Sequence, residues 1–274
     1  ICGVADMIAM ALKLTEAGAG DYWDDVDRWT RNQFAEGQLT SSDWVDAMVK
    51  DKPVKLPLKN EYYPDLFALG DYTVDSVGRR NVGAFAGWPS VNDWQGHERR
   101  SIMHCCTGNG TRAIYYVWDN ILTDENGRLK VNLLLNRASP WAEVNSHIPY
   151  QGRVDVLVKK ARELSIRIPQ WVKAKDTRCQ VNGKVRSLSW QGRYAVVGGV
   201  KAKDEVTLTF PIQERTDVVR IEDNDYTLVR KGNEVVKIDP PGKNYPQYQR
   251  DHYRENQTRF RTIERFVPDR TVDW

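Results

Sequence analysis

Three of the four cysteines in this 274-residue chain stand where a thiol can do chemistry. Cys105 and Cys106 are adjacent, in the run His104-Cys105-Cys106-Thr107-Gly108-Asn109-Gly110-Thr111-Arg112, which reads as the mouth of a helix. Cys2 opens the first helical pattern of the chain. A thiolate is both a soft metal ligand and a nucleophile, and the positive end of a helix lowers a thiol's pKa. A structural zinc site usually takes four ligands, often as spaced pairs. Here Cys2, Cys105 and Cys106 would supply three, and the fourth is not visible in the chain. The alternative is three inert cysteines buried as small hydrophobes. Adjacent cysteines rarely bridge each other, and four in a chain of this length are not a disulfide scaffold. Cys179, in the strand-like Arg178-Cys179-Gln180-Val181, reads as a small buried side chain.

Other polar residues carry weaker signals. His104 is placed to orient a ligand, bind a substrate or donate a hydrogen bond to a ligating group, and equally to be a satisfied histidine at a loop end. His97, His147 and His252 are scattered and read as structural or surface groups. Gly108-Asn109-Gly110-Thr111-Arg112-Ala113 fits G-x-G-x-x-A, but a phosphate loop needs a strand before it and a βαβ unit after it. Neither pattern is present, so the glycines are expected to let the backbone turn tightly around the thiolates. Asp71, Asp75, Asp93 and Glu98 lie in a loop-rich stretch. Each could serve as a general acid or base, but none has a partner at a defined spacing, which is the mark of solvated carboxylates.

These groups need elements to position them. Val4, Met7, Ile8, Ala11 and Leu12 keep the rhythm of a buried helix face. Gly18-Ala19-Gly20 stops that helix, and Asp21 can cap the next, which turns Tyr22, Val26, Trp29 and Phe34 inward. A third helix starts at Ser41 or Ser42. A fourth runs from about Asn109 to Leu122, with Ala113, Ile114, Tyr116 and Val117 inward. Between these helices, residues 51–104 hold Pro53, Pro57, Pro64 and Pro89, with Gly70 and Gly83-Ala84-Phe85-Ala86-Gly87-Trp88-Pro89. The latter reads as a shaped loop beside a site. After Gly127 the period changes to that of strands, at residues 129–135, 153–158, 163–168, 178–181, 194–197 and 205–210. Asn182-Gly183 marks a hairpin, and the short, regularly spaced strands argue for an antiparallel sandwich. The tail adds a hairpin around Lys231-Gly232-Asn233.

The composition sets outer limits. Forty basic and 37 acidic residues, interspersed to a net charge of +3, argue against nucleic acid as a partner. No apolar run approaches a membrane span, and the mean hydropathy of −0.61 is that of a soluble globular chain. Ten Trp and 12 Tyr are enough to line a sugar site, although most aromatics are core. The chain begins at Ile1 without Met, on a helix whose apolar face needs neighbours. The N-terminus therefore reads as a truncation inside or just before a helix.

The run from His104 to Arg112, with the helix after it, resembles the Cys-Cys segment of the β-L-arabinofuranosidase-type glycoside hydrolases (glycoside hydrolase family 127 and relatives). The opening Ile1-Cys2 resembles that family's Glu-x-Cys segment, cut just after its Glu. The order of helical segment, Cys-Cys and β-sandwich is also the family's. The resemblance implies an α+β multidomain fold, a partial (α/α)6 helical barrel followed by an antiparallel β-sandwich. The expected limits are 1–124 for the C-terminal part of the barrel, 125–216 for the sandwich and 217–274 for a hairpin and tail packing on the other domains. It implies Zn2+ held by Cys2, Cys105 and Cys106, with Cys105 as the nucleophile of a retaining mechanism on a β-L-arabinofuranoside-like sugar. The zinc-ligand Glu and the acid/base Glu would lie before Ile1, so the piece alone is expected to be inactive. His104 matches the family's substrate-contacting His only loosely, since that His can sit one position earlier. Thr107-Gly108 stands where many members have prolines. Trp88 and Asn92 are expected on the substrate wall from loop position. The partner is an oligosaccharide or glycan, with no nucleic acid and no membrane. The competing reading is a non-catalytic carbohydrate-binding or structural module whose cysteines hold zinc or fill a core.

Overall fold

The computed structural model describes residues 1–49, 76–95, 102–259 and 267. Pro53, Pro57, Pro64, Gly70, Asp71, Asp75, His97 and Glu98, named above, lie outside the described residues. Helix α1 (Cys2–Glu16) buries Ala5, Ile8, Ala11 and Leu12. Gly18 ends it with φ +73°, and the Ala17 N–H donates to the Lys13 carbonyl. The buried stripe runs 5, 8, 12, which leaves Met7 41% exposed rather than inward. Helix α2 (Trp23–Trp29) continues into a π-helical turn, Thr30–Phe34. Asp21 accepts from the Trp23 N–H at 3.3 Å, one position ahead of the helix cap. Val26 and Phe34 are buried, with Tyr22 and Trp29 packed against them. Two short helices follow, α3 (Asp43–Val49) and α4 (Val77–Arg80).

Helix α5 (His104–Asn120) starts five residues earlier than its periodicity suggested, so the cysteine pair lies inside its first turn. Cys106, Gly110, Ala113, Tyr116 and Val117 form its buried stripe. Spacing of three and four along that stripe places Ile114 on the other side, where it is 44% exposed and not buried as expected.

The rest is sheet. One five-stranded sheet has the order β1-β2-β6-β10-β9, from β1 (Leu122–Glu125), β2 (Arg128–Val131), β6 (Glu163–Arg167), β9 (Ser189–Gln191) and β10 (Tyr194–Gly198). A second, six-stranded sheet has the order β3-β4-β5-β11-β7-β8. Its strands are β3 (Arg137–Ala138), β4 (Ala142–Ser146), β5 (Arg153–Val158), β7 (Arg178–Val181), β8 (Lys184–Arg186) and β11 (Glu205–Thr209). Pairing is antiparallel except between β2 and β6, which run parallel. The expected purely antiparallel pattern fails there because the chain leaves β2 to build β3–β5 in the other sheet and re-enters in the same direction. Asn182 and Gly183 adopt φ of +50° and +74° and close the β7/β8 hairpin, a turn that L-residues with larger side chains adopt at a cost. Leu129, Ile166 and Val197 of one sheet share a continuous core with Val144, Val156 and Leu208 of the other, and that core extends into α1 and α5. The site-bearing helices are thus seated on the two-sheet unit through one apolar interior, where each fully buried Leu, Ile or Val contributes roughly 1.5–3 kcal/mol.

A third sheet, β12 (Glu214–Ile221), β13 (Asn224–Lys231) and β14 (Glu234–Asp239), contains the expected hairpin at Gly232. It docks on α2 and the π-helical turn through buried charge. Arg31 donates to Asp27 at 2.6 Å and to Glu234 at 3.1 Å, and Arg250 donates to the other Glu234 oxygen at 3.0 Å and also to Glu36.

Candidate functional site

Packing of α1 on α5 brings together cysteines 103 and more positions apart in the chain. The Cys2 and Cys106 sulfurs are 3.4 Å apart, Cys105 and Cys106 are 3.9 Å apart, and all three ligand atoms lie within 4.8 Å of one another. Sulfurs bound tetrahedrally to one zinc, at Zn–S of about 2.3 Å, sit about 3.8 Å apart. Two of the separations, 3.4 and 3.9 Å, lie near that spacing, and the third is bounded by 4.8 Å. Among the described residues no other group of three Cys, His, Asp or Glu converges in this way. Three sulfur donors at this spacing fit a thiophilic divalent ion such as zinc.

The three thiols differ in environment. Cys106 is buried, Cys2 half-buried and Cys105 exposed. Burial pushes the Cys106 thiol up to about 11, and its side-chain contact with Cys2 adds to the rise. Burial also pushes on Cys2, but hydrogen bonds from Asn109, Cys106 and Cys105 outweigh it and hold that thiol below its usual range. Asn109 donates to the Cys2 sulfur at 3.1 Å. Neither α1 nor α5 has a side-chain cap or an acidic residue in its first turn, so the positive ends of both helices face the sulfurs unneutralised.

The loop expected beside the site is there. Residues 83–86 pair with residues 37–39, Ala86 bridges Ile102, and the Gly87 carbonyl lies 4.0 Å from the Cys106 sulfur. Gly110 makes the close approach possible, because a Cβ there would fall 2.5 Å from the Phe85 ring. The Phe85 N–H also donates to the Thr107 hydroxyl at 3.3 Å. Of the two glycines in the motif, Gly110 serves packing between loop and helix, and both lie within α5 instead of turning the backbone around the thiolates.

The remaining candidates fall in different places. His104 is the exposed first residue of α5, next to Cys105. Trp88 is 51% exposed and its indole N–H donates to the sulfur of Met103, beside the start of α5. Asn92 donates to the Pro240 carbonyl at 2.8 Å and its own carbonyl accepts from the Gln247 N–H at 2.8 Å, so its bonds run to the C-terminal segment. Asp93 is buried and accepts from the backbone N–H groups of Gln95, Asn244 and Tyr245, a loop-fastening role. Asn109 was missed by sequence reasoning, whereas Gly87 fell within the loop expected beside the site. Asn109 stands three and four residues after the cysteine pair, a helical spacing that points it at the same place.

Residues 128–212 match the family model of the middle domain of the β-L-arabinofuranosidases of glycoside hydrolase family 127. That span covers the two-sheet unit from β2 to β11 and does not include the cysteine-bearing helices. The resemblance to the family-127 type of glycoside hydrolase thus holds on this domain. Among solved structures, a family-127 β-L-arabinofuranosidase from Geobacillus stearothermophilus T6 is 17% identical, with a TM-score of 0.41, over 56% of this chain and 28% of its own. A protein described as a glycoside hydrolase is 18% identical, with a TM-score of 0.45, over 78% of this chain and 33% of its own. A family-127 β-arabinofuranosidase is 18% identical, with a TM-score of 0.37, over 50% of this chain and 27% of its own. The chain spans about a third or less of the length of these structures. No curated protein matches the sequence, and among the described residues no helix is long and apolar enough to cross a membrane.

Proposed function

We propose that this chain is the cysteine-bearing part of a retaining glycoside hydrolase acting on a β-L-arabinofuranoside-like sugar, with Cys105 as nucleophile and Cys2, Cys105 and Cys106 as zinc ligands. The observation that carries the reading is the convergence of three sulfurs of which Cys105 alone is exposed. Cys106 is closed off from a substrate, and Cys2 is half-covered and tied to Asn109. The middle-domain match beside the site supports the reaction class. On this reading α1, α2, α3 and α5 belong to an (α/α)6 barrel, and the glycan lies over the start of α5 against His104 and Trp88.

Zinc, when bound, keeps the cysteine sulfurs as thiolates at neutral pH. The rest is the work of the chain. The start of α5 holds Cys105 outward, open to an approaching sugar. Its sulfur attacks the anomeric carbon, a C–S bond forms and the glycosidic C–O bond breaks. The leaving oxygen takes a proton from a general acid. Water then attacks the same carbon while giving a proton to the acid's conjugate base, the C–S bond breaks, its electrons return to Cys105, and the sugar leaves with retained configuration. Asn109 and the Gly87 carbonyl hold Cys2 and Cys106 in place around the nucleophile.

The test is release of p-nitrophenol from an aryl β-L-arabinofuranoside by the full protein, with wild type and Cys105→Ser side by side and bound zinc measured in both. Loss on the order of 10³-fold or more in the variant, with zinc partly retained, is expected for a nucleophile. Zinc in the wild type without hydrolysis of this or other aryl furanosides would favour the non-catalytic module.

A further inference from the structure

A cleft of about 350 Å³ opens between the loop after β6 and the start of β12, walled by Trp171, Lys173, Asp176, Gln213 and Arg215 with Val172 beneath. It shares no residue with the cysteine centre, and its size falls in the range of small-molecule sites, roughly 300–1,000 Å³. Both walls are fastened from behind. The Arg193 guanidinium donates to the carbonyls of Ile168 at 3.0 Å and Val172 at 2.7 Å, and to that of Pro169. The backbone closes on itself where the Val172 N–H donates to Pro169 and the Asp176 N–H to Lys173, each at 3.0 Å. Trp171 is wedged edge-on against Phe210, ring centres 5.7 Å apart, and over Gly232, where an added Cβ would fall 2.9 Å from the indole. The same Gly232 donates its N–H to the Gln213 carbonyl at 3.2 Å, which ties the opposite wall to the floor.

The side chains facing this fixed frame are uncommitted. Among the described residues, the Lys173 ammonium, the Asp176 carboxylate and the Gln213 amide have no side-chain hydrogen bond or ion pair, and Arg215 shares an exposed contact of 3.4 Å with Asp217. A half-buried indole with free donors and free acceptors on two walls matches a saccharide, whose ring C–H groups pack on an aromatic face while its hydroxyls both donate and accept. Asp176 offsets Lys173 within the lining, and Arg215 is drawn toward Asp217 outside it, so the cleft presents no cluster of free cations with which to select an anion. We propose that this cleft is a second, non-catalytic binding site for a short neutral oligosaccharide, seated at the junction of the two-sheet unit and the C-terminal sheet.

This inference goes beyond the hydrolase reading and does not depend on it, because its test reads binding and not turnover. Arabinotriose as the neutral probe and trigalacturonate as the acidic one are titrated calorimetrically into the full chain, into Asp176→Ala/Gln213→Ala and into Cys105→Ser. Both changed residues of the double variant lie at the surface of the cleft, and an unchanged melting temperature confirms its fold. The expected result is arabinotriose binding that weakens at least tenfold in the double variant and persists in Cys105→Ser. Three results would overturn the proposal: no binding of arabinotriose, binding indifferent to the double variant, or binding of trigalacturonate alone.

Discussion

Asn109 contacts the candidate metal centre without being a candidate ligand. Its amide donates to the Cys2 sulfur at 3.1 Å, fixing where that sulfur points. Groups that orient metal ligands typically change affinity about 10- to 100-fold when removed. Asn109→Ala is therefore expected to weaken zinc binding by at least about tenfold in a chelator competition while leaving far-UV circular dichroism unchanged. Affinity equal to wild type would show that Cys2 needs no such guide. The three cysteines were legible in the sequence because thiols are scarce here and their chemistry is distinctive. Asn109 was not, because an asparagine's role depends on what its amide faces, and that required the crossing of α1 on α5. Asn92 shows the converse. Its loop position suggested a substrate contact, while its side chain is spent on the Pro240 carbonyl.

At the scale of elements, Gly110 sets the distance between α5 and the loop beside the cysteines. An alanine in a helix interior is ordinarily favoured over glycine by about 1 kcal/mol. At position 110 its Cβ would meet Phe85 at 2.5 Å, and overpacking of this kind costs about 1–3 kcal/mol. Gly110→Ala should therefore lower the urea midpoint instead of raising it, and a rise would mean that Phe85 does not seat on α5. Between strands, Asp155 of β5 accepts from Thr207 of β11 at 2.6 Å, from Arg153 at 3.0 Å and from His147 at 2.8 Å. Burial pushes its pKa up, but these bonds outweigh it and hold the carboxyl below its ordinary value. A depressed folded pKa means stability that is complete above the unfolded value of about 3.9 and is lost as pH falls through the folded one. Wild type should thus lose stability below about pH 4 more steeply than Asp155→Asn, as followed by unfolding midpoints from pH 6 to 2. Strands such as β5 and β11 were legible from alternation. Strands β8 and β9 were not, since every residue in both is exposed and no burial imprints a period on them.

Across the whole molecule, the C-terminal sheet is joined to the helices by charge where an apolar seam would be expected. Its own apolar cluster is small: Leu228, Val235, Ile238 and Tyr248. The join is Arg31, buried between Asp27 and Glu234, with Arg250 closing on Glu234 and Glu36. Asn32 and Asn233 complete it, receiving the Val235 N–H at 2.7 Å and reaching Asp27 at 2.7 Å. Composition hides such a junction, because arginines and glutamates read as solvent-facing until a partner strand 200 positions away is in place. Asp27 and Glu234 hold the Arg31 guanidinium firmly charged despite its burial. Removing one member of a buried set leaves the others desolvated and unpaired, at about 3–5 kcal/mol. Arg31→Met keeps the volume and strands the Asp27 and Glu234 charges, so the loss should fall on the docking of residues 214–259. Limited proteolysis is expected to cut that region well before the two-sheet unit, whose continuous apolar core the change does not touch. Digestion of both regions at the wild-type rate would show that the third sheet is held by its apolar contacts alone.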